Sequence, residues 1–227
     1  LKLDFAILPK MKTPQIEQWK GEFGRAYSDR NIFAPEELDA FYVGNYRVSR
    51  SEMNRRFLKD IPSHARILEV GCNIGNQLLM LESMGFDNLH GIEIQTYALQ
   101  QARARLKKAK LSEASAFKIP YPDEYFDLVF TSGVLIHIAP EDLSVAMAEI
   151  ARCTRSYVWG LEYFADEPTE VKYRGNDRLL WKMDYARRYL EHCADLEFVR
   201  EEKFPYLQDS NVDSMFLLKK KPRHVSR

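Results

Sequence analysis

The sequence predicts an α/β protein built on a mostly parallel sheet with helices on both faces, and three observations predict it. Over residues 61–160, short apolar runs alternate with amphipathic helical patterns, the rhythm of strands joined by crossover helices. The first run, residues 66–70, stops at a glycine-bearing turn, Gly71-Cys72-Asn73-Ile74-Gly75. The second, residues 88–94, carries an acid near its end, Glu93.

The elements follow in order. Residues 1–60 are polar and aromatic, with helical patches at 35–42 and 51–58, and read as a separate N-terminal helical unit, a lid. The main domain is expected over 61–227. Its first strand is 66–70, followed by a helix at 76–84 with Leu78, Leu79 and Leu81 inward. The strand at 88–94 leads into a helix predicted over 96–110, on the spacing of Leu99, Ala102 and Leu106. Residues 126–131 form a continuous apolar strand. Pro140 opens the next helix where a missing N–H costs nothing, and Glu141 and Asp142 suit its first turn. Residues 156–161 are the next strand. After a charged loop, the C-terminal part ends in two strand-like runs, and 216–220 is expected to close the sheet at an edge.

Composition narrows the function. The chain has 227 residues, 45% of them hydrophobic, enough for one packed domain and an appendage. Lys plus Arg and Asp plus Glu are 33 each, so net charge gives no case for a nucleic-acid or membrane partner. The basic run Arg103, Arg105, Lys107, Lys108 and Lys110 reads as the solvated face of its helix. Three scattered cysteines, Cys72, Cys153 and Cys193, form no CxxC pair, so neither a metal site nor a disulfide framework is expected, and reduced thiols suggest the cytoplasm. Residues 1–9 hold a short apolar run with no cleavage site, unlike a signal peptide.

The glycine turn carries the chemistry. Gly71 permits a sharp turn under a ligand, and Gly75 lets the following helix approach closely. A dinucleotide loop would read G-x-G-x-x-G, but Asn73 and Asn76 put side chains where a pyrophosphate needs bare backbone. No G-x-x-x-x-G-K-[ST] loop is present either. Glu69, two residues before Gly71, suits a ligand ammonium, or else serves as a structural carboxylate for the loop N–H groups. Glu93, beside Ile94, stands where an acid accepts hydrogen bonds from two ribose hydroxyls.

This ordered set, acid, G-x-N-x-G turn and second acid, resembles motif I and its successor in class I S-adenosylmethionine-dependent methyltransferases. The resemblance implies a Rossmann-like, mostly parallel seven-stranded sheet, S-adenosylmethionine as cofactor and a small-molecule acceptor. Ala114-Ser115-Ala116-Phe117 looks like the family's adenine-contacting turn, with the backbone of Ala116 and Phe117 meeting the adenine; Ser115 replaces a common Asp. Residues 132–138, with Ser132, Gly133 and His137, look like its active-site turn. His137 there is either a general base for the acceptor or a capping or core histidine.

A narrower resemblance runs through Thr13-Pro14-Gln15, Trp19-x-Gly21-Glu22-Phe23-Gly24-x-x-Tyr27, Arg30-Asn31, Glu162-Tyr163, Tyr173-Arg174-Gly175 and Lys182-x-Asp184. These are similar to the pseudaminic acid biosynthesis-associated methylases. That likeness implies an N-terminal segment folded over the cofactor, with Tyr27 and Arg30 reaching it and Arg30 pairing with its carboxylate. Trp19 and Phe23 would anchor the segment by packing. Glu162 and Tyr163 would join His137 on the catalytic side, while the loop 162–185 would bring Tyr173 and Arg174 to the acceptor. Arg174 would suit a carboxylate or phosphate. The acceptor expected is a sugar-like metabolite of nonulosonic acid pathways, methylated on oxygen or nitrogen. A carboxyl or peptide O-methyltransferase and a catalytically silent cofactor-binding protein are the alternatives.

Overall fold

The computed structural model of the chain describes residues 12–222, so the apolar run at 1–9 lies outside the described residues. Four helices come first: α1 (Pro14–Lys20), α2 (Glu22–Arg30), α3 (Pro35–Tyr46) and α4 (Arg50–Leu58). Their starts are encoded locally. Thr13 accepts from the Ile16 N–H and Ser49 from the Glu52 N–H, while Pro14 and Pro35 open α1 and α3.

The sheet elements then alternate as expected: β1 (Ile67–Val70), α5 (Asn76–Ser83), β2 (Leu89–Glu93), α6 (Thr96–Arg105), β3 (Lys110–Glu113), β4 (Phe126–Ser132), a 3₁₀ turn (Leu135–His137), α7 (Pro140–Cys153) and β5 (Thr154–Tyr163). A small hairpin, β6 (Thr169–Glu170) with β7 (Trp181–Lys182), precedes α8 (Tyr185–His192), β8 (Leu196–Pro205) and β9 (Val212–Lys220). The main sheet has seven strands in the order β3-β2-β1-β4-β5-β9-β8. β1 to β5 run parallel; β9 is antiparallel to both β5 and β8.

Alternation along the strands splits the core into two layers. Leu68, Val70, Val129, Val158, Phe216 and Leu218 face the side packed by α7 and α8. Ile67, Leu128, Phe130, Trp159, Leu161, Met215 and Leu217 face the side packed by Met53 and Phe57 of α4, Leu78 of α5 and Ala102 of α6. By the same period, Glu69 and Asp213 point to the α4 side. Because α4 is part of this core, the expected seam at residue 60 does not divide helices from sheet.

Four expectations need correction. The helix predicted over 96–110 ends at Arg105; Leu106 is already extended, and Lys110 begins β3. Arg105 is no solvated charge: it donates to the carbonyls of Phe33 and Ile74 and to Asn76 Oδ1. The strand expected at the edge, within β9, is interior, since residues 213–218 are all buried and require neighbours on both sides; the mostly exposed β8 is the edge. α8 follows the acceptor-side loop where no helix was expected, because Arg187, Arg188 and Glu191 mask its buried face of Tyr185, Ala186 and Tyr189.

Candidate active site

Two adjoining cavities open beyond the carboxyl ends of β1, β2 and β4, where the strand order reverses around β1 and where ligands sit in such sheets. The first is bounded by the loops after β1, β2 and β3 and roofed by α1 and α2. Gly71 (φ +72) and Gly75 (φ +81) both take left-handed backbone, and neither has room for a methyl group. A Cβ would come within 2.7 Å of Val134 at Gly71 and 2.5 Å of Leu106 at Gly75. Gly71 lines the cavities; Gly75 lines neither and serves the packing of α5 against the end of α6.

Glu93 lies at the floor of the first cavity, 6% exposed. Its Oε2 accepts the Asn73 N–H, and its Oε1 accepts the N–H groups of Ile94 and Gln95, each at 2.8 Å. Burial pushes its pKa up, and these three donors oppose that by favouring the carboxylate. Asn73 is itself left-handed (φ +45), so the Glu93 bond pins a strained loop residue. Ile94, Ala116, Phe117, Ser132 and Gly133 line the same cavity. Ser115 Oγ caps its turn by accepting the Phe117 N–H at 3.2 Å.

Trp19 closes this cavity from α1. Its ring meets Phe23 and Tyr27 edge-on, both at 5.2 Å between centroids, and lies 4.5 Å from the His137 ring. Its buried Nε1 has no hydrogen-bond partner although the side chain faces the cleft. The donor and acceptor set fits S-adenosylmethionine: Glu93 can accept from ribose hydroxyls, Phe117 and Ile94 offer apolar walls to adenine, and the orphaned Trp19 N–H can donate to a carboxylate.

The second cavity continues from the first, sharing Tyr27, Gly71, Asn73, Ser132, Gly133 and His137. His137 therefore stands at the junction. Its Nδ1 lies 2.7 Å from the Leu179 carbonyl, which makes Nδ1 the protonated nitrogen and leaves Nε2 as acceptor. Burial lowers its pKa to about 4, so the ring is neutral near pH 7. Glu162, 1% exposed, accepts from the N–H groups of Val134 (3.2 Å) and Ile136 (3.4 Å) and so holds the turn that carries His137. Burial pushes its pKa up to about 7. Tyr163 and Tyr173 line the second cavity, Tyr173 against His137 at 5.4 Å. Glu69 lines it too; burial drives its pKa well up while Arg50 opposes this, and its Oε2 has no partner.

Besides Gly75, three expected site residues stand outside the cleft read for them. Arg30 is exposed at the end of α2 and lines neither cavity, so its pairing with a cofactor carboxylate is not supported. Arg174 is exposed at a turn where it and Gly175 both have positive φ, and it too lines neither cavity. Asn76 does not line the cofactor cleft. It ties the helices down: Nδ2 donates to the Asn31 carbonyl (2.6 Å), and Oδ1 accepts from the Phe33 N–H (3.4 Å) and Arg105 (2.7 Å).

The sequence reading passed over Tyr46, Arg50, Gln77 and Asp213. Tyr46 donates to Asp213 Oδ2 at 2.7 Å. Arg50 is fully buried, bonded through Nε to Asn54 and through Nη1 to the Tyr42 hydroxyl. A signal existed for Arg50: it opens the i, i+3, i+4, i+7 stripe of Arg50, Met53, Asn54 and Phe57, the buried face of α4.

Residues 68–158 match the family described as "Methyltransferase domain". The chain is similar to Methyltransferase GfsG of Streptomyces halstedii, 28% identical over 53% of this chain and 44% of the relative. It is also similar to an uncharacterized protein of Haemophilus influenzae, 31% identical over 38% of this chain and 37% of the relative. The chain thus spans less than half the length of these relatives. Among solved structures it resembles the Burkholderia thailandensis 1,6-didemethyltoxoflavin-N1-methyltransferase with bound S-adenosylhomocysteine (TM-score 0.63, 14% identity, covering 85% of this chain and 92% of that one). It also resembles the [4+2]-cyclase SpnF (TM-score 0.64, 14% identity, covering 84% of this chain and 97% of that one), so the fold alone does not dictate a reaction. Residues 68–158, from β1 through the glycine loop and β4 into β5, thus match a methyltransferase domain, and on this seven-stranded sheet the match supports S-adenosylmethionine as the cofactor.

Proposed function

We propose that the chain transfers a methyl group from S-adenosylmethionine to an oxygen or nitrogen of a small polar acceptor held in the second cavity. The carrying observation is His137, set between the two cavities with Nε2 unprotonated and Nδ1–H tied to the Leu179 carbonyl. The cofactor, when bound, supplies a methyl on a sulfonium, an already activated leaving group. The residues need only position the acceptor and take its proton. His137 Nε2 receives that proton, Glu162 holds the turn on which His137 stands, and Trp19 and Tyr173 fix the ring between them. α1 and α2 act as a lid that keeps water from the cleft, fastened by Asn76. The resemblance to pseudaminic acid-associated methylases favours a sugar-like acceptor.

Labelled S-adenosylmethionine, offered with a panel of sugar nucleotides, amino sugars and peptides and read by mass spectrometry, tests the reading. His137→Ala should lower turnover about 100-fold with S-adenosylhomocysteine affinity near normal. Full activity in that variant would eliminate the base. Absence of product across the panel with intact cofactor binding would favour a silent cofactor-binding protein.

A further inference from the structure

The second cavity is lopsided in charge and in hydrogen bonding. Six tyrosines line it together with Glu69, Glu162 and Asp213, and no Lys or Arg lines it among the described residues. Glu162 spends its oxygens on the N–H groups of Val134 and Ile136. Asp213 does not. It is 7% exposed; Oδ2 accepts from Tyr46 and lies 3.5 Å from the Tyr206 hydroxyl, while Oδ1 has no partner. Glu69 Oε2 and Gln77 Oε1 are likewise buried without partners around this cavity. Three orphaned oxygens call for donors, and buried acceptors do not go unmet at no cost.

Behind the lining, Arg50 stands against Glu69 and Asp213 with its Nη2 also unpartnered; burial pushes the Glu69 pKa well up, and His137 is neutral. Lys182 is turned to Asn211 Oδ1 and the Tyr163 ring, and does not line the cavity. Burial raises the Asp213 pKa to about 6, opposed by Tyr46, Arg50, Tyr206 and Lys182, so the carboxylate is mostly ionised at pH 7.5. The hydroxyls of Tyr46 and Tyr206 reach its Oδ2, and Tyr206 also donates to the Tyr163 hydroxyl, so aromatic rings, which attract cations, stand close to the carboxylate.

Resting on the methyltransferase reading above, we infer that the acceptor carries an amine and that Asp213, with Tyr46 and Tyr206, is the subsite that binds it as an ammonium. Asp213 lines only the second cavity and lies on β9, three strands from β1 and its glycine loop. The ammonium is therefore an anchor and not the methylated atom, since a protonated nitrogen has no lone pair to give. The atom that takes the methyl lies nearer His137. This reverses the expectation of an acidic acceptor held by Arg174.

The test uses the full chain saturated with S-adenosylhomocysteine and calorimetry at pH 7.5 with two matched sets: glucosamine, glucose and glucuronate; benzylamine, benzyl alcohol and benzoate. At least one amine should bind ten-fold or more tighter than its neutral and acidic counterparts. Asp213→Asn should reduce that preference to within two-fold while leaving S-adenosylhomocysteine affinity unchanged, and Asp213→Glu should restore part of it. Preference for a carboxylate, no saturable amine binding, or a preference that survives in Asp213→Asn each overturns the inference. The ranking in the unaltered chain decides the matter even if the Asn variant does not fold. Failure of the unaltered chain to bind S-adenosylhomocysteine would instead strike the methyltransferase reading.

Discussion

Glu93→Gln is the sharpest probe of the cofactor site, because the side chain's two oxygens have different duties. Oε1 holds the N–H groups of Ile94 and Gln95, and Oε2 holds that of Asn73. The amide can keep the first pair by presenting its oxygen there. Its NH₂ then faces the Asn73 N–H, donor against donor. One buried N–H loses its partner, at a cost of about 1–3 kcal/mol, and Asn73 loses what holds its left-handed backbone. A charge-assisted bond to the ribose is worth about 1.5–3 kcal/mol, so its loss weakens S-adenosylhomocysteine about 10- to 100-fold. Glu93→Ala orphans all three N–H groups and should destabilise the fold further, by roughly 3 kcal/mol or more. Calorimetry gives the affinity and urea unfolding the stability. Affinity within two-fold of the unaltered chain in Glu93→Gln would refute the ribose assignment. Equal stability of the two variants would refute the three-donor account.

Other perturbations test the supports of the site. Asn76→Ala removes the bonds to Asn31, Phe33 and Arg105 together, and urea unfolding should show a loss of about 1–2 kcal/mol with weaker S-adenosylhomocysteine binding; unchanged values would mean that water replaces the ties. Glu162 has a folded pKa of about 7 against an ordinary 4.5, so the folded state holds the proton more tightly between those values. Its contribution is fully present below about pH 4.5 and is lost as pH rises through 7, about 3 kcal/mol in all. The stability difference between Glu162→Gln and the unaltered chain should therefore move in favour of the variant across that window, and a difference independent of pH would refute the burial account.

The cofactor half of the site was readable because its logic is local. The turn after β1 needs positive φ at Gly71 and Gly75, and the acid ending β2 must sit beside that turn once the two strands pair in parallel. These constraints act over some twenty residues and leave their mark in spacing. Arg30 and Arg174 show where such reasoning stops. Each stands near residues that do reach the cavities, Tyr27 and Tyr173, yet both are exposed, because spacing along the chain says nothing about which side of a turn or helix end meets the cleft. Asp213 had a faint signal: an acid in register with Met215 and Leu217 on the inward face of a buried strand breaks the apolar pattern without reason unless something answers it.

What answers it explains why the acceptor half was opaque. Asp213 is met by Tyr46, 167 residues earlier in the chain, and is balanced by Arg50 on the next helix. Tyr163 joins from β5 and His137 from the turn after β4. Asp213 and Arg50 leave a faint mark in their own segments, but Tyr46, Tyr163 and His137 do not; the site forms only when five elements converge and leave Asp213, Glu69 and Gln77 with oxygens that nothing in the chain satisfies. A cofactor shared by many enzymes can be served by one short stretch of backbone. An acceptor particular to one enzyme is recognised by what the tertiary structure leaves unpaired, and here that includes the oxygens of Asp213, Glu69 and Gln77.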